Sequence, residues 1–82
     1  MRIVAPKQQI LENSGYAYSF DRQCYINRQA RKIFSVEFVQ DNSDDDLLKS
    51  INATGPPPGE WQFYFNAEPS AAVKREFSML LG

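Results

Sequence analysis

Residues 27–46 read NRQARKIFSVEFVQDNSDDD, and three patterns follow one another in this stretch. A basic, polar segment at positions 27–30 is typical of a hairpin turn. Apolar residues then alternate along the chain, and alternating residues share one face of a strand: Phe34, Val36 and Phe38. An acidic cluster begins at Asp41. The stretch therefore predicts a turn, a strand and the start of a helix.

An earlier run alternates in the same way and predicts the first strand of a β-hairpin: Tyr16, Tyr18 and Phe20. If this alternation continued, Arg22 would lie on the buried face, so the pattern must break after the first strand. We interpret the break as a β-bulge at positions 21–23, which shifts the alternation. The alternative is a turn at these positions, with the CYIN segment, 24–27, as a separate short strand.

The segment SDDDLLKSINATG, 43–55, predicts a short helix. Ser43 is a favourable N-cap, acids occupy the first turn, and Gly55 lies just beyond the end. Leu47, Leu48 and Ile51 form its apolar stripe. A helix this short needs a sheet against which to pack.

The rest of the chain predicts one more strand and one more helix. The GPPPGE run predicts a rigid turn, and the alternating residues Trp61, Phe63 and Phe65 then indicate a strand. A final segment has apolar residues at helical spacing, which are Val73, Phe77, Leu80 and Leu81.

These elements predict the α+β class, with a small mixed three-stranded sheet in the order β-hairpin, helix, strand, helix. A strand, helix, strand unit favours a parallel pair joined by a right-handed crossover, and both helices are expected on one face of the sheet. Residues 1–15 are interpreted as an N-terminal arm or short helix, and residues 16–82 as a single domain. One core is expected, formed by Phe34, Phe38, Leu48, Ile51, Trp61, Phe63, Phe65, Val73, Phe77 and Leu80.

Composition argues against several classes of function. The 82 residues carry a formal net charge of -1, which provides no broad positive field for nucleic acid or an anionic membrane. There is no apolar run near the length of a membrane span, and the start of the chain does not resemble a signal peptide. With a single cysteine, Cys24, an internal disulfide is excluded, and we expect a cytoplasmic location.

The usual catalytic and metal-binding groups are scarce. The chain has no histidine, so Cys24 has no imidazole base, and an ordinary zinc site lacks its ligands. The DNSDDD cluster departs from a calcium loop because Asp46 stands where Gly is needed and Asn52 where Glu is needed. We interpret these acids as helix-capping residues and predict a protein without catalytic activity, metal or cofactor.

The predicted function is protein interaction through an open sheet face. If both helices cover one face, the opposite face presents Ile33, Val39 and Tyr64, which together would form a modest apolar patch. The expected partner is another protein or the protein itself, as a weak homodimer. No membrane partner is expected.

The alternative function is nucleic-acid binding. Here Tyr64 and Tyr25 would stack on bases while the basic turn holds phosphates through Arg28, Arg31 and Lys32. Charged residues also protect hairpin tips and edge strands from aggregation, and this structural interpretation of the basic turn is the more common one.

Overall fold

A computed structural model of the protein describes residues 7–81, and this range contains four helices and a mixed four-stranded sheet. Along the chain the elements are α1 (Lys7–Asn13), β1 (Ala17–Ser19), β2 (Cys24–Asn27), β3 (Lys32–Ser35), α2 (Val36–Asp41), α3 (Asp44–Asn52), β4 (Gln62–Tyr64) and α4 (Ala71–Leu81). The sheet order is β1-β2-β3-β4. The α+β class is confirmed, but the sheet has four strands where three were predicted.

Helix α1 ends in a left-handed turn at Gly15, whose φ is +96°. The Gly15 amide donates to the Glu12 carbonyl, and the Tyr16 amide donates to the Leu11 carbonyl. This pair of hydrogen bonds is the Schellman arrangement, which favours glycine because a side chain at positive φ is strained. Residues 1–6 of the predicted arm lie outside the described residues.

A turn at positions 20–23 separates β1 from β2, so the predicted bulge is wrong and its alternative is correct. Gln23 takes a left-handed φ of 52°, and the Arg22 amide donates to the Ser19 hydroxyl within the turn. Pairing of Tyr18 with Tyr25 and of Ser19 with Cys24 is regular, with no extra residue in either strand. Phe20 belongs to this turn and is 84% exposed.

The predicted strand through Phe34, Val36 and Phe38 is also wrong, because β3 ends at Ser35 and α2 follows directly. The Ser35 hydroxyl accepts a hydrogen bond from the Phe38 amide at 3.1 Å and is therefore the N-cap of α2. Local capping overrides the alternating pattern here, although Val36 and Phe38 still pack in the same cluster as Phe34.

The later elements follow the prediction more closely. The Ser43 hydroxyl caps α3 by accepting from the Asp46 amide at 3.1 Å. Strand β4 pairs in parallel with β3, as Ile33 with Phe63 and Phe34 with Tyr64. The predicted parallel pair is therefore confirmed.

The helices lie on both faces of the sheet, and the prediction of one helical face and one core is wrong. The strands carry apolar residues at both odd and even positions, so each face needs its own cover. The three-helix face, covered by α1, α2 and α3, has the buried residues Leu11, Tyr16, Tyr25, Phe34, Val39 and Leu47. The α4 face has the buried residues Cys24, Ile33 and Phe77, with Ile26, Trp61, Phe63, Phe65 and Leu81 packed against them.

Three members of the predicted core are on the surface, namely Leu48, Val73 and Leu80. Each follows the helical spacing that suggested burial, but a short helix on one sheet face buries only a narrow stripe. Leu47 and Phe77 occupy those stripes in α3 and α4.

Candidate functional site

The open sheet face expected from the sequence does not exist, because helices cover both faces. Ile33 is fully buried on the α4 face. Val39 lies in α2 and is buried on the three-helix face. Tyr64 also lies on the three-helix face, where its ring stacks on Phe34 at a centroid distance of 4.6 Å. The predicted patch is therefore divided between two cores.

Lys32 is the clearest departure from the predicted basic surface, because the residue is only 1% exposed. Its ammonium nitrogen donates to the carbonyl oxygens of Ser50, Ile51 and Ala53 at 2.8 to 2.9 Å. These carbonyls form the C-terminal end of α3, where a cation complements the helix dipole. Burial lowers the pKa of Lys32, and the three acceptors favour its charged form. Lys32 thus fastens α3 to β3.

The other predicted site residues occupy different environments. Tyr25 is buried, and burial raises the pKa of its phenol. Arg31 adopts a left-handed φ of 57° just before β3. Arg28 is exposed, and its guanidinium donates to the Leu81 carbonyl at the end of α4. Of the three predicted phosphate-binding residues, Arg28 is exposed, Arg31 is half-buried and Lys32, in β3, is buried.

Cys24 is a packing residue in the α4 face. It is buried, its thiol donates to the Arg22 carbonyl at 3.0 Å, and burial raises its pKa to about 11. A thiol with a raised pKa is a poor nucleophile at neutral pH. Within residues 7–81, no group of three or more histidine, cysteine or acidic side chains is arranged to hold a metal ion.

A concave surface lies beside β1, on the α4 face, as a groove of about 570 Å³. Its lining includes small residues from the start and edge of β1, namely Gly15, Ala17 and Ser19, and apolar residues from β2 and α4, namely Ile26, Phe77, Leu80 and Leu81. Because the residues of β1 carry so little side chain on this side, the groove reaches the free edge of the sheet.

Charged residues stand around the groove. Arg22 pairs with Glu76 at 3.2 Å and lies over the Phe77 ring, so its charge is already compensated. Asp21 lines the groove beside the turn that follows β1, and Arg28 lines it near the opposite end of the strand. The two ends of β1 therefore differ in charge.

The edge at β1 also presents apolar surface on its other side. Phe20 packs edge-on against Tyr18, with ring centroids 4.9 Å apart, yet most of the Phe20 side chain faces solvent. Strand β1, with the sequence AYS, contains neither a charge nor a proline, which often protect a sheet edge, although its length of three residues is itself a protection. At the opposite edge, β4 comes soon after the rigid run Pro56 to Pro58.

Sequence reasoning missed this site, although a signal was present. Positions 15, 17 and 19 are small while positions 16, 18 and 20 are aromatic, which indicates a strand covered unequally on its two faces. Leu80 was assigned to the core, and its role at the groove depends on the side of the sheet that α4 occupies.

No family model, curated protein or solved structure matches this chain. No helix among residues 7–81 has the length and apolar character needed to cross a membrane.

Proposed function

We propose that this protein is a non-catalytic interaction module that binds a partner protein by adding a strand to the free edge of β1. The observation that carries the proposal is an edge strand without charge or proline, with a groove on one side and an exposed aromatic residue on the other. A buried, protonated cysteine is compatible with a reducing compartment, and we assign the module to the cytoplasm.

Strand addition would use both features of this edge. The backbone of the incoming strand would hydrogen-bond to β1, which supplies affinity independent of sequence. Its side chains would alternate between the two faces, one set entering the groove near Leu80 and the other packing on Tyr18 and Phe20. Apolar side chains at alternate positions are therefore the expected feature of the bound segment.

Nucleic-acid binding has less support than protein binding. Lys32 directs its ammonium into α3, so it offers no phosphate contact. Tyr25 is buried, and one face of Tyr64 is stacked on Phe34. Arg28 and Arg31 are the members of the predicted phosphate-binding set that stay accessible.

Selection of random extended peptides displayed on phage tests the proposal without knowledge of the natural partner. We expect selected peptides to shift the amide resonances of Ala17 to Ser19 and to bind about tenfold more weakly to Ala17→Lys, which places a charge at the edge. Ala67→Lys is the matched control, because Ala67 is an exposed alanine outside the groove lining. Peptides that shift only residues remote from β1 would contradict the proposal.

A parallel titration with single-stranded RNA and DNA tests the alternative. Phosphate contacts release counterions, so each contact would contribute about -0.7 to the log–log slope of affinity against salt. Submicromolar, salt-sensitive binding that disappears in Arg28→Ala/Arg31→Ala would favour nucleic-acid binding over strand addition.

A further inference from the structure

We infer that the strand added at β1 comes from a second copy of this chain, which forms a twofold dimer with a sheet continuous across both copies. The inference rests on the proposed function and names its partner. The surface around β1 is complementary to itself in backbone, shape and charge.

The backbone is compatible with twofold symmetry because an antiparallel strand pair is related by an axis perpendicular to the sheet. Centring that axis on Tyr18 places Tyr18 opposite Tyr18 of the second copy and Ala17 opposite Ser19. The same register places Gly15 opposite Asp21 of the second copy. Among residues 7–81, β1 is the terminal strand of its sheet, and no other described strand pairs with its outer edge.

On the three-helix side, the dimer would bury the most exposed large apolar residue of the described chain. Phe20 is 84% exposed and already contacts Tyr18 of its own copy. In the proposed register Phe20 becomes a diagonal neighbour of Tyr18 of the second copy, a spacing that aromatic side chains can bridge. Two Phe20 and two Tyr18 rings would then form one cluster across the axis.

On the α4 side, small and large residues are complementary. Leu80 is 55% exposed and lines the groove beside Ala17 and Ser19. The second copy would present its own Ala17 and Ser19 next to this leucine. Their small side chains leave room for Leu80 from each copy, so the groove becomes part of the interface.

The charges at the ends of β1 also match under this symmetry. Asn27 donates to the Ser14 carbonyl, which places the following residue, Arg28, near the Gly15 end of the strand. Asp21 lies beyond the other end, and antiparallel pairing brings Asp21 of the second copy towards Arg28. Two equivalent ion pairs result, while a net charge of only -1 per copy adds little repulsion.

Because β1 has three residues, the interface is small. Such an interface belongs to the class that buries less than about 1,200 Å² in total, which is typical of transient association. The dimer is therefore expected to form at high protein concentration and to exchange with the monomer.

Sedimentation equilibrium over a range of concentrations is the first test. We expect the wild-type protein to dimerise and Ala17→Lys to raise the dissociation constant about tenfold or more, because each lysine would lie opposite Ser19 of the second copy and place a charge within the strand pair. The Ala67→Lys control should associate like wild type. A wild-type protein that remains monomeric at about 1 mM would overturn the inference, as would a dimer that Ala17→Lys leaves unchanged.

Charge reversal tests the register and does not depend on any change within β1. Asp21→Lys and Arg28→Glu should each weaken the dimer, and the double variant should recover much of the loss because the opposite charges again face each other. Loss without recovery would contradict the Arg28–Asp21 pairing. In a mixture of labelled and unlabelled protein, filtered NOEs between Phe20 and Tyr18 of different copies should appear.

Sedimentation and peptide selection together separate the inference from the proposed function. A protein that stays monomeric but binds displayed peptides at Ala17 to Ser19 retains the proposed function with a different partner. A protein that dimerises through another surface and binds no peptide at β1 loses both.

Discussion

The two faces of the sheet differ in how completely they are covered. Three helices cover one face, and its core extends to β1 through Tyr16 and Tyr18. The α4 face has one helix, and its core is centred on β2, β3 and β4. One sheet thus provides a fully packed face for stability and a partly open face where the groove meets the edge. The groove, which is the proposed binding surface, lies where the helix cover of the α4 face ends.

The largest effect is expected from Phe34→Ala on the three-helix face. Phe34 is fully buried and its ring packs against Tyr16, Phe38 and Tyr64. Removing such a ring from a core costs about 3 to 5 kcal/mol in the free energy of unfolding. Urea denaturation measures the change, and a loss smaller than that of Phe77→Ala would break the proposed difference between the faces.

Phe77→Ala tests the thinner face in the same way. The Phe77 ring contacts Phe63 and Phe65 and anchors α4, so we expect a loss near the lower limit of the same range, about 3 kcal/mol. The groove-lining residue Leu80 provides the control, because Leu80→Ala removes a half-exposed side chain and should cost far less. A loss below about 1 kcal/mol for Phe77→Ala would mean that α4 does not hold this face.

Lys32→Met tests the hydrogen bonds that join β3 to α3 on the three-helix face. The substitution keeps a long side chain but leaves three carbonyl oxygens at the end of α3 without their donor, at an expected cost of about 2 kcal/mol. Lys49→Met, on the exposed side of α3, should change stability by less than about 0.5 kcal/mol. Equal effects of the two substitutions would contradict a stabilising role for the hydrogen bonds between Lys32 and the end of α3.

The smallest effect concerns Cys24 and alkaline pH. Its folded-state pKa of about 11 lies above the ordinary value of 9.0, so the protonated thiol favours the folded state. This contribution to stability is fully present below pH 9 and decreases as pH rises towards 11. At pH 10, roughly 1 kcal/mol of it has been lost. The free energies of unfolding of wild type and Cys24→Ala, each measured below pH 9 and at pH 10, separate the contribution of the thiol from that of the tyrosines. Wild type should lose more stability; equal losses would contradict burial of this thiol.

How much of the fold was predictable depends on the range of the interactions involved. The Ser43 cap and the helical spacing of α4 are local signals, and the structure follows them. The strand predicted through Val36 failed because Val36 and Val39 also have the i, i+3 spacing of a helix, and a serine caps that helix. Ser35 is that cap, and its sequence context alone did not distinguish the two structures.

The candidate site was less predictable than the fold. Ile33, Val39 and Tyr64 were expected to be exposed because one face of the sheet was expected to be open. The strands themselves argued against this, since Ile33 beside Phe34, and Phe63 beside Tyr64, give large apolar residues to both faces. A sheet with two apolar faces requires cover on both.

The sequence by itself determined the helices α3 and α4, the parallel crossover to β4 and the absence of an internal disulfide, because capping, periodicity and composition act over short distances. The side of the sheet occupied by α4, the burial of Lys32 and the exposure of Leu80 became clear from the packed structure alone. These features depend on contacts between residues far apart in the chain. These contacts depend on how much apolar surface the packed layers bury in total, and no local sequence pattern specifies that amount.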